Sequence, residues 1–343
     1  MKRTFAPALA GLACLLLAPA LRSQTEPLQA SRDGQSWVLT AAQGSARLET
    51  PDGRSLAVPL PKKAQVTSLA ALDGGWAAAG SFEDGDGVRK IFVLRGSGAA
   101  SRALSVPPGQ EDGRYGPVLL AAEGRLAGLA WLEGDGPRSL AVRASAWSGA
   151  RWEAPVAISR PGPGSQLALT GAVLADGSWL LAWSAFDGQD DEIVWSRRAP
   201  DGAWSKAQRV APGNEVPDIV PALTATGNGA LLSWNRYDGE GYRLLLARFS
   251  GGAWHDERTV APAGSLYPSF VDAAGRPALV YLSAVEPRAW AVLEMDASGR
   301  VLGRAAVPSP LDRPVVGFEA SEVRMRWTAA AREAAAPLER KTP

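Results

Sequence analysis

The stretch that decides the fold runs from Pro161 to Pro262, where one unit of about 50 residues occurs twice. The first copy contains SWLLAWSAFDG (178–188) and IVWSR (193–197), and the second contains GALLSWNRYDG (229–239) and LLLAR (244–248). The corresponding residues Trp183 and Trp234 are 51 positions apart. A fixed period of about 40–50 residues with several short strands per unit is typical of β-propellers and similar repeat arrays.

Units of the same plan fill most of the remaining chain. Complete units are predicted at 62–108, 109–160 and 263–308, each with four short segments bounded by Gly, Pro or Asp. Residues 32–60 supply a second, third and fourth strand, and residues 314–327 supply a first and second strand. We therefore predict an all-β fold, a six-bladed β-propeller of four-stranded antiparallel blades, whose ring is closed by N- and C-terminal strands in one composite blade. Seven blades are the alternative, because both terminal segments contain a candidate second strand.

The two ends of the chain lie outside the repeats. Lys2 and Arg3 precede an apolar run and the small residues Ala18-Pro-Ala20, a pattern typical of a secretory signal peptide. A lipid anchor on Cys14 is the alternative. The expected destination is the periplasm or the exterior of the cell. The predicted divisions are a signal peptide (1–20), an N-terminal linker (21–31), a single propeller domain (32–327) and a C-terminal tail (328–343).

Composition excludes several classes of function. The formal charge of the whole chain is +1 and falls to about −1 when Lys2 and Arg3 are removed, so there is no electrostatic basis for nucleic-acid binding. No segment after the signal peptide approaches the roughly 18 apolar residues of a membrane helix. With His255 as the only histidine and no cysteine after Cys14, Ser-His-Asp, Cys-His and zinc chemistry are excluded.

The recurring tryptophans are interpreted as packing residues. Trp131, Trp183 and Trp234 occupy one position in successive units. A large ring at a fixed place in every blade is suited to burial between neighbouring blades.

The junction between the third and fourth strands carries a family resemblance. Ser196-Arg-Arg-Ala-Pro-Asp201-Gly-Ala-Trp204 resembles the Asp-box, or BNR, repeat of sialidase-like propellers, Ser-x-Asp-x-Gly-x-x-Trp, although its spacing differs. The resemblance covers the repeat plan over about residues 32–327. A sialidase would require a Tyr nucleophile with a Glu partner, an Asp acid/base and three Arg residues, and Arg114-Tyr-Gly-Pro117 is only a distant echo of the Phe-Arg-Ile-Pro motif. The Pro-Asp-Gly triplets at 51–53 and 200–202 also resemble TolB-type propellers, a weaker match because they precede an outer strand.

Loops after the second strand are acidic in four consecutive units, and repeat symmetry places them on one face of the ring. One interpretation is ordinary turn chemistry, since Asp-Gly favours tight turns. The other is a carboxylate cluster that binds polar sugars or calcium, which prefers six to eight oxygen ligands. The candidate metal ligands are Asp84, Asp86, Asp187, Asp190 and Asp191.

Connections between units lie on the same face and bring Tyr and Arg beside these carboxylates. Tyr has an apolar ring and a polar tip, which suits a carbohydrate or peptide. No catalytic residue is assigned. The candidate ligand-binding residues are Arg114, Tyr115, Asp187, Asp190, Asp218, Tyr237, Asp238, Tyr242 and Tyr267.

The sequence thus predicts an exported, monomeric, non-catalytic repeat protein that recognises a glycan, a peptide, or an envelope or extracellular protein at its loop-bearing face. A glycoside hydrolase or lyase of sialidase-like fold and a structural periplasmic scaffold are the alternatives. Calcium is the only cofactor that the acidic loops suggest.

Overall fold

A computed structural model describes residues 26–42, 44–97, 100–108, 113–136, 139–160, 166–309, 312–319, 321–328, 330 and 332–340. The predicted signal peptide and Cys14 lie outside these residues. Every regular element in the described part of the chain is a β-strand, and it contains no helix that could cross a membrane.

The strands form seven antiparallel sheets, and each sheet is one blade of a β-propeller. The first blade contains β1 (Leu28–Arg32), β2 (Gln35–Ala42), β3 (Ser45–Glu49) and β4 (Ser55–Pro59). The second contains β5 (Gln65–Leu72), β6 (Gly75–Glu83), β7 (Arg89–Ser97) and β8 (Ala100–Leu104). The third contains β9 (Gly113–Ala122), β10 (Arg125–Gly134), β11 (Ala141–Ala146) and β12 (Val156–Ala157). The fourth contains β13 (Gln166–Val173), β14 (Trp179–Phe186), β15 (Asp191–Arg198) and β16 (Gln208–Arg209).

The remaining blades depart from the four-strand plan only near the C-terminus. The fifth contains β17 (Asp218–Thr226), β18 (Gly229–Tyr237), β19 (Tyr242–Ser250) and β20 (Ala253–Ala261). The sixth contains β21 (Ser265–Ala273), β22 (Arg276–Ser283), β23 (Ala289–Met295), β24 (Val301–Pro308) and an added fifth strand, β28 (Glu339–Arg340). The seventh has three strands, β25 (Val315–Glu319), β26 (Glu322–Trp327) and β27 (Arg332–Pro337).

The first strand of each of the first six blades lies at the centre of the ring. β1, β5, β9, β13, β17 and β21 contact one another in sequence, and β21 also contacts β1. The second strands carry long buried runs, such as the seven buried residues that begin β14, because neighbouring blades cover both faces of each sheet. The β-propeller prediction is therefore confirmed, with seven blades rather than six.

The prediction that both ends of the chain share one composite blade was wrong, because the N-terminal and C-terminal strands form separate sheets. Strand β1 (Leu28–Arg32) lies almost entirely in the predicted linker (21–31) and supplies the first strand that the sequence pattern did not show. Residues 332–340 of the predicted tail contain β27 and β28. The Ala-rich β27 pairs with β26, whose backbone would otherwise be an exposed sheet edge. Hydrogen bonding of the backbone, rather than side-chain pattern, determines this pairing.

Polar contacts close the ring between the first and seventh blades. The Gln29 side chain donates to the Val316 carbonyl (2.7 Å) and accepts from the Val316 amide (3.1 Å). Arg326 Nη1 donates to Glu49 Oε1 at 3.0 Å. A cleft of about 890 Å³ lies beside these contacts.

The recurring tryptophans pack between blades as predicted. Trp131, Trp183 and Trp234 are fully buried, each against the second and third strands of the preceding blade. Trp183, for example, packs with Leu132 and Val142 of the third blade. These rings thus contribute large apolar contacts between neighbouring blades.

Candidate functional site

Consecutive strands of a blade run in opposite directions, so every second loop along the chain lies at the same end of the propeller. These are the loops between second and third strands and the connections between blades, and we call this end the upper face. It carries the Asp187–Glu192 loop of the fourth blade and the Asp238–Arg243 loop of the fifth. The Val210–Pro217 connection runs between these two blades on the same face.

Asp187 closes the turn of the fourth-blade loop. Its Oδ1 accepts hydrogen bonds from the backbone amides of Gln189 (2.8 Å) and Asp190 (3.2 Å). Its Oδ2 accepts a hydrogen bond from Arg209 Nη2 at 2.6 Å. The backbone hydrogen bond from Gln189 is the largest cause of the lowered pKa of Asp187. The hydrogen bonds of Asp187 are therefore those expected of an aspartate that stabilises a tight turn.

Two further carboxylates converge on Asp187. Oxygens of Asp187, Asp190 and Glu192 all lie within 4.8 Å of one another. Glu192 is 2% exposed, and its Oε1 accepts a hydrogen bond from the Asn214 amide at 3.0 Å. Arg209 Nη1 is 3.8 Å from the same oxygen. Burial raises the pKa of Glu192. The result is a compact, mostly buried acidic cluster.

Asp190 is the exceptional member of this cluster. It is 8% exposed, and within the described part of the chain neither of its buried Oδ atoms has a hydrogen-bond partner. Burial, followed by the charges of Asp187, Asp218 and Asp191, raises its pKa to about 6. A buried carboxylate is normally paired or hydrogen-bonded, so Asp190 requires an explanation.

Asp218, by contrast, is fully satisfied. Arg236 forms a two-pronged ion pair with it, Nε to Oδ1 at 2.7 Å and Nη2 to Oδ2 at 2.6 Å. Arg236 Nη1 also donates to Glu257 Oε1 at 2.7 Å. Burial raises the pKa of Asp218, while the hydrogen bond from Arg236 opposes that shift. This predicted ligand residue is therefore engaged in joining strands of the fifth blade.

The fifth-blade loop brings two tyrosines together on the upper face. The ring centroids of Tyr237 and Tyr242 are 5.4 Å apart. Between them Asp238 closes a turn by accepting hydrogen bonds from the backbone amides of Glu240 (2.9 Å) and Gly241 (2.8 Å). Burial is the largest cause of the raised pKa of Tyr242, and the charge of Asp191 is the next. The charge of Asp191 in the fourth blade therefore acts on Tyr242 in the fifth.

Arg243 neutralises the fifth-blade turn. Its Nη2 forms an ion pair with Asp238 Oδ2. The hydrogen bond from Arg243 is the largest cause that lowers the pKa of Asp238 to about 2. Asp238 therefore remains ionised and paired over the whole range in which most proteins are folded.

Tyr267 reaches the upper face from the sixth blade. It is 46% exposed and has a φ of 55°, at an interruption in the pairing of β21 with β22. Val220 of β17 and Ala168 of β13 have the same positive φ at matching interruptions. Such bulges redirect side chains near functional surfaces. Here the bulge presents Tyr267 to solvent on the blade next to the tyrosine pair.

The remaining predicted site residues lie elsewhere or have structural partners. Arg114, in the third blade, is 6% exposed, and its Nε is 3.0 Å from Glu133 Oε2. Tyr115 lies beside it, with the Arg89 guanidinium 6.0 Å from its ring centre. The structure does not bring either residue to the acidic cluster.

Asp84 and Asp86, the other metal candidates, form an isolated turn in the second blade. Asp84 Oδ1 accepts from the amides of Asp86 (3.0 Å) and Val88 (2.9 Å). Sequence reasoning missed Glu192 as a member of the cluster. The signal was present, because Asp190 and Glu192 are two positions apart at the start of β15 and so share a face, whereas Asp191 points to the opposite one.

Solved structures with the same architecture show the fold but no function. A puromycin-hydrolysing peptidase of Mycobacterium tuberculosis is 12% identical with a TM-score of 0.57, and the match covers 94% of this chain and 55% of the peptidase. A six-bladed fucose-recognising lectin of Aleuria aurantia is 12% identical with a TM-score of 0.51, over 84% of this chain and 97% of the lectin. The GH93 α-L-arabinofuranosidase of Fusarium graminearum, solved with arabinobiose, is 13% identical with a TM-score of 0.51, over 82% and 95% of the two chains.

No family model and no curated protein sequence matches the chain. The solved structures establish that this protein is a β-propeller. At such low identity the likeness shows the fold alone, so the sialidase-like resemblance stays a prediction, as does the TolB-type one.

Proposed function

We propose that this protein is a carbohydrate-binding β-propeller that acts outside the cytoplasm and does not catalyse a reaction. The observation that carries this proposal is the Tyr237–Tyr242 pair on the upper face, where the charge of Asp191 also acts on Tyr242. Flat aromatic rings bind the C–H faces of sugars, and carboxylates accept hydrogen bonds from sugar hydroxyls. The predicted signal peptide supports a site of action in the periplasm or outside the cell.

Two of the structurally similar proteins bind carbohydrate, which is consistent with the proposed class of ligand but does not establish it. The lectin is described by its fucose recognition, and the arabinofuranosidase was solved with a bound arabinobiose. Tyr267, which is 46% exposed, adds an aromatic ring on the neighbouring sixth blade. A peptide or a partner protein is the other class of ligand that such a surface suits, and the test below separates the two.

The test is calorimetric titration of the purified protein with fucose, arabinobiose and a broader oligosaccharide panel. We expect at least one sugar to bind, and Tyr242→Ala to weaken its affinity at least tenfold. Tyr115→Ala, a tyrosine removed from a different blade, is the matched control and should bind normally. If no sugar binds, or if both variants bind alike, carbohydrate recognition at this face is wrong. Binding of a peptide instead would move the proposal to that class, and binding of neither would favour a structural scaffold.

A glycoside hydrolase is the second candidate, favoured by one observation. Asp187 and Asp190 are neighbouring carboxyl groups whose pKa values are shifted in opposite directions, as in an acid and its partner base. The buried Asp190 oxygens argue against it, because a sugar could not reach them without movement of the loop. Hydrolysis of a glycan that Asp190→Asn abolishes would establish catalysis. Binding without turnover would exclude it for that glycan.

A further inference from the structure

We propose that Asp187, Asp190 and Glu192 form a binding site for a single calcium ion in the upper loop of the fourth blade. The inference is independent of carbohydrate recognition, because it concerns carboxylates of the fourth blade rather than the tyrosines of the fifth. Its starting point is Asp190, whose two buried oxygens have no hydrogen-bond partner among the described residues although the rest of the loop is well satisfied.

Geometry favours a cation shared by the three side chains. Their oxygens lie within 4.8 Å of one another. Two ligands on opposite sides of a calcium ion stand about 4.6–5.2 Å apart, because each Ca–O bond is about 2.3–2.6 Å. Magnesium demands near-ideal octahedral geometry and usually keeps several waters, so a site made of several protein carboxylates suits calcium better. All the donors are carboxylate oxygens, which suit a hard cation rather than zinc or copper.

Charge points to the same conclusion. Three ionised carboxylates and the Arg209 guanidinium leave a net charge of −2, which one divalent cation would neutralise. Arg209 neutralises the cluster only in part, because its ion pairs are with Asp187 and Glu192. Its side chain is 44% exposed, so solvent screens part of its charge, and a calcium ion would supply the remaining positive charge.

Gly213 of the connection between blades lies against the cluster. A Cβ added at this position would be 3.4 Å from Glu192 Oε1, in van der Waals contact with it. The connection between blades thus closes over the carboxylates. A bare ion can reach oxygens that a sugar cannot.

The experiment is calorimetric titration of calcium chloride into the full chain after EDTA treatment, with thermal unfolding in parallel. We expect one calcium per chain, a dissociation constant of about 1 mM or tighter, and a higher melting temperature with calcium. Asp190→Asn and Glu192→Gln should each weaken affinity at least tenfold. Asp238→Asn, the same change in the same turn of the fifth blade, is the matched control and should bind calcium normally. Magnesium should bind at least tenfold more weakly.

Asp190→Asn is expected to fold, because it removes a buried unpaired charge and should be at least as stable as the parent in EDTA. A loss of calcium binding in this variant therefore reports on the site. Circular dichroism checks its folding, and Glu192→Gln provides a second variant. The proposal is overturned if the parent protein shows no calcium binding at millimolar concentration, or if Asp190→Asn binds as tightly as the parent. A negative result here leaves the sugar titration unaffected, because that experiment reports on Tyr242.

Discussion

The upper loops of the fourth and fifth blades follow the same plan but carry opposite charges at one corresponding position. Asp187 and Asp238 occupy equivalent positions 51 residues apart, and each closes its turn through two backbone amides. Five residues further on, the fourth blade has Glu192 where the fifth has Arg243. In the fifth blade the arginine pairs with the turn aspartate. In the fourth a glutamate faces the turn aspartate, and Arg209 of the outer strand β16 forms ion pairs with both.

The difference shows which part of the loop belongs to the fold and which part is free to serve a function. The turn aspartate is a backbone requirement, so it is retained in both blades. The residues after it do not close the turn, and they differ. The pKa values reflect this division. Both turn aspartates, Asp187 and Asp238, have lowered pKa values, whereas the pKa of Asp190, which corresponds to Gly241 in the fifth blade, is raised to about 6.

The largest expected effect tests whether the two blades share one scaffold. Trp183→Ala and Trp234→Ala each remove a fully buried ring from between blades, and each should lower the free energy of unfolding by about 3–5 kcal/mol. Urea unfolding of the two variants measures this. Near-equal losses would confirm that the blades differ in their loops alone, and a loss in only one blade would contradict the comparison.

The next prediction exchanges the charge between the loops. Glu192→Arg gives the fourth-blade loop the arginine of the fifth, so it should abolish the calcium response and raise the melting temperature in EDTA. The reverse change, Arg243→Glu, places a like charge beside Asp238 and should lower the melting temperature. Differential scanning fluorimetry in EDTA and in calcium measures both. Identical behaviour of the two variants would show that loop charge is irrelevant.

A smaller, pH-dependent effect is expected from Asp190→Asn in EDTA. Because the pKa of Asp190 rises from 3.8 in the unfolded chain to about 6 in the fold, ionisation in the folded state costs up to about 3 kcal/mol. Below about pH 4 both states are protonated and the cost vanishes, whereas above about pH 6 it is complete. The variant should therefore gain about 1–2 kcal/mol at pH 8, since its buried amide keeps part of the cost, and almost nothing at pH 4. Urea unfolding at both pH values measures this gain, and a gain independent of pH would refute the assignment.

The smallest effect is expected from Asp238→Asn. The turn keeps an oxygen acceptor, and the lost ion pair is solvent-screened, so the melting temperature should shift by little more than its measurement error. Carbon-13 NMR of the carboxyl groups supplies the sharper contrast: Asp190 should titrate near pH 6 and Asp238 near pH 2 in calcium-free buffer. Titration of both groups together near pH 4 would remove the distinction between the loops.

Much of the architecture could be predicted from the repeats. Period, strand length and the recurring tryptophans indicate a propeller because each blade must bury both faces against its neighbours. The ends were harder to predict. Leu28–Arg32 and Arg332–Pro337 carry no strong strand pattern, and they form strands because backbone groups of β2 and β26 need partners.

The candidate site was only partly predictable. The acidic loops and the nearby tyrosines were found from the sequence, whereas Arg114 was selected by type although it belongs to a buried ion pair with Glu133. Glu192 was overlooked because a run of acidic residues does not show which of them face one another. Side chains alternate between the two faces of β15, so Glu192 lies on the same face as Asp190 and Asp191 lies on the other.

The sequence by itself determined that this protein is an all-β propeller with an acidic, tyrosine-bearing face, because hydrophobic period and turn chemistry are local properties. Only the tertiary structure decided that seven sheets form and that polar contacts between the first and last blades close the ring. It also decided that Asp190 is buried with no hydrogen-bond partner among the residues that the structure describes. Those outcomes depend on contacts between residues far apart in the chain, such as Gln29 with Val316 and Arg209 with Asp187. The strength of such contacts depends on the distance between the two side chains and on their burial, and neither can be predicted from a local sequence pattern.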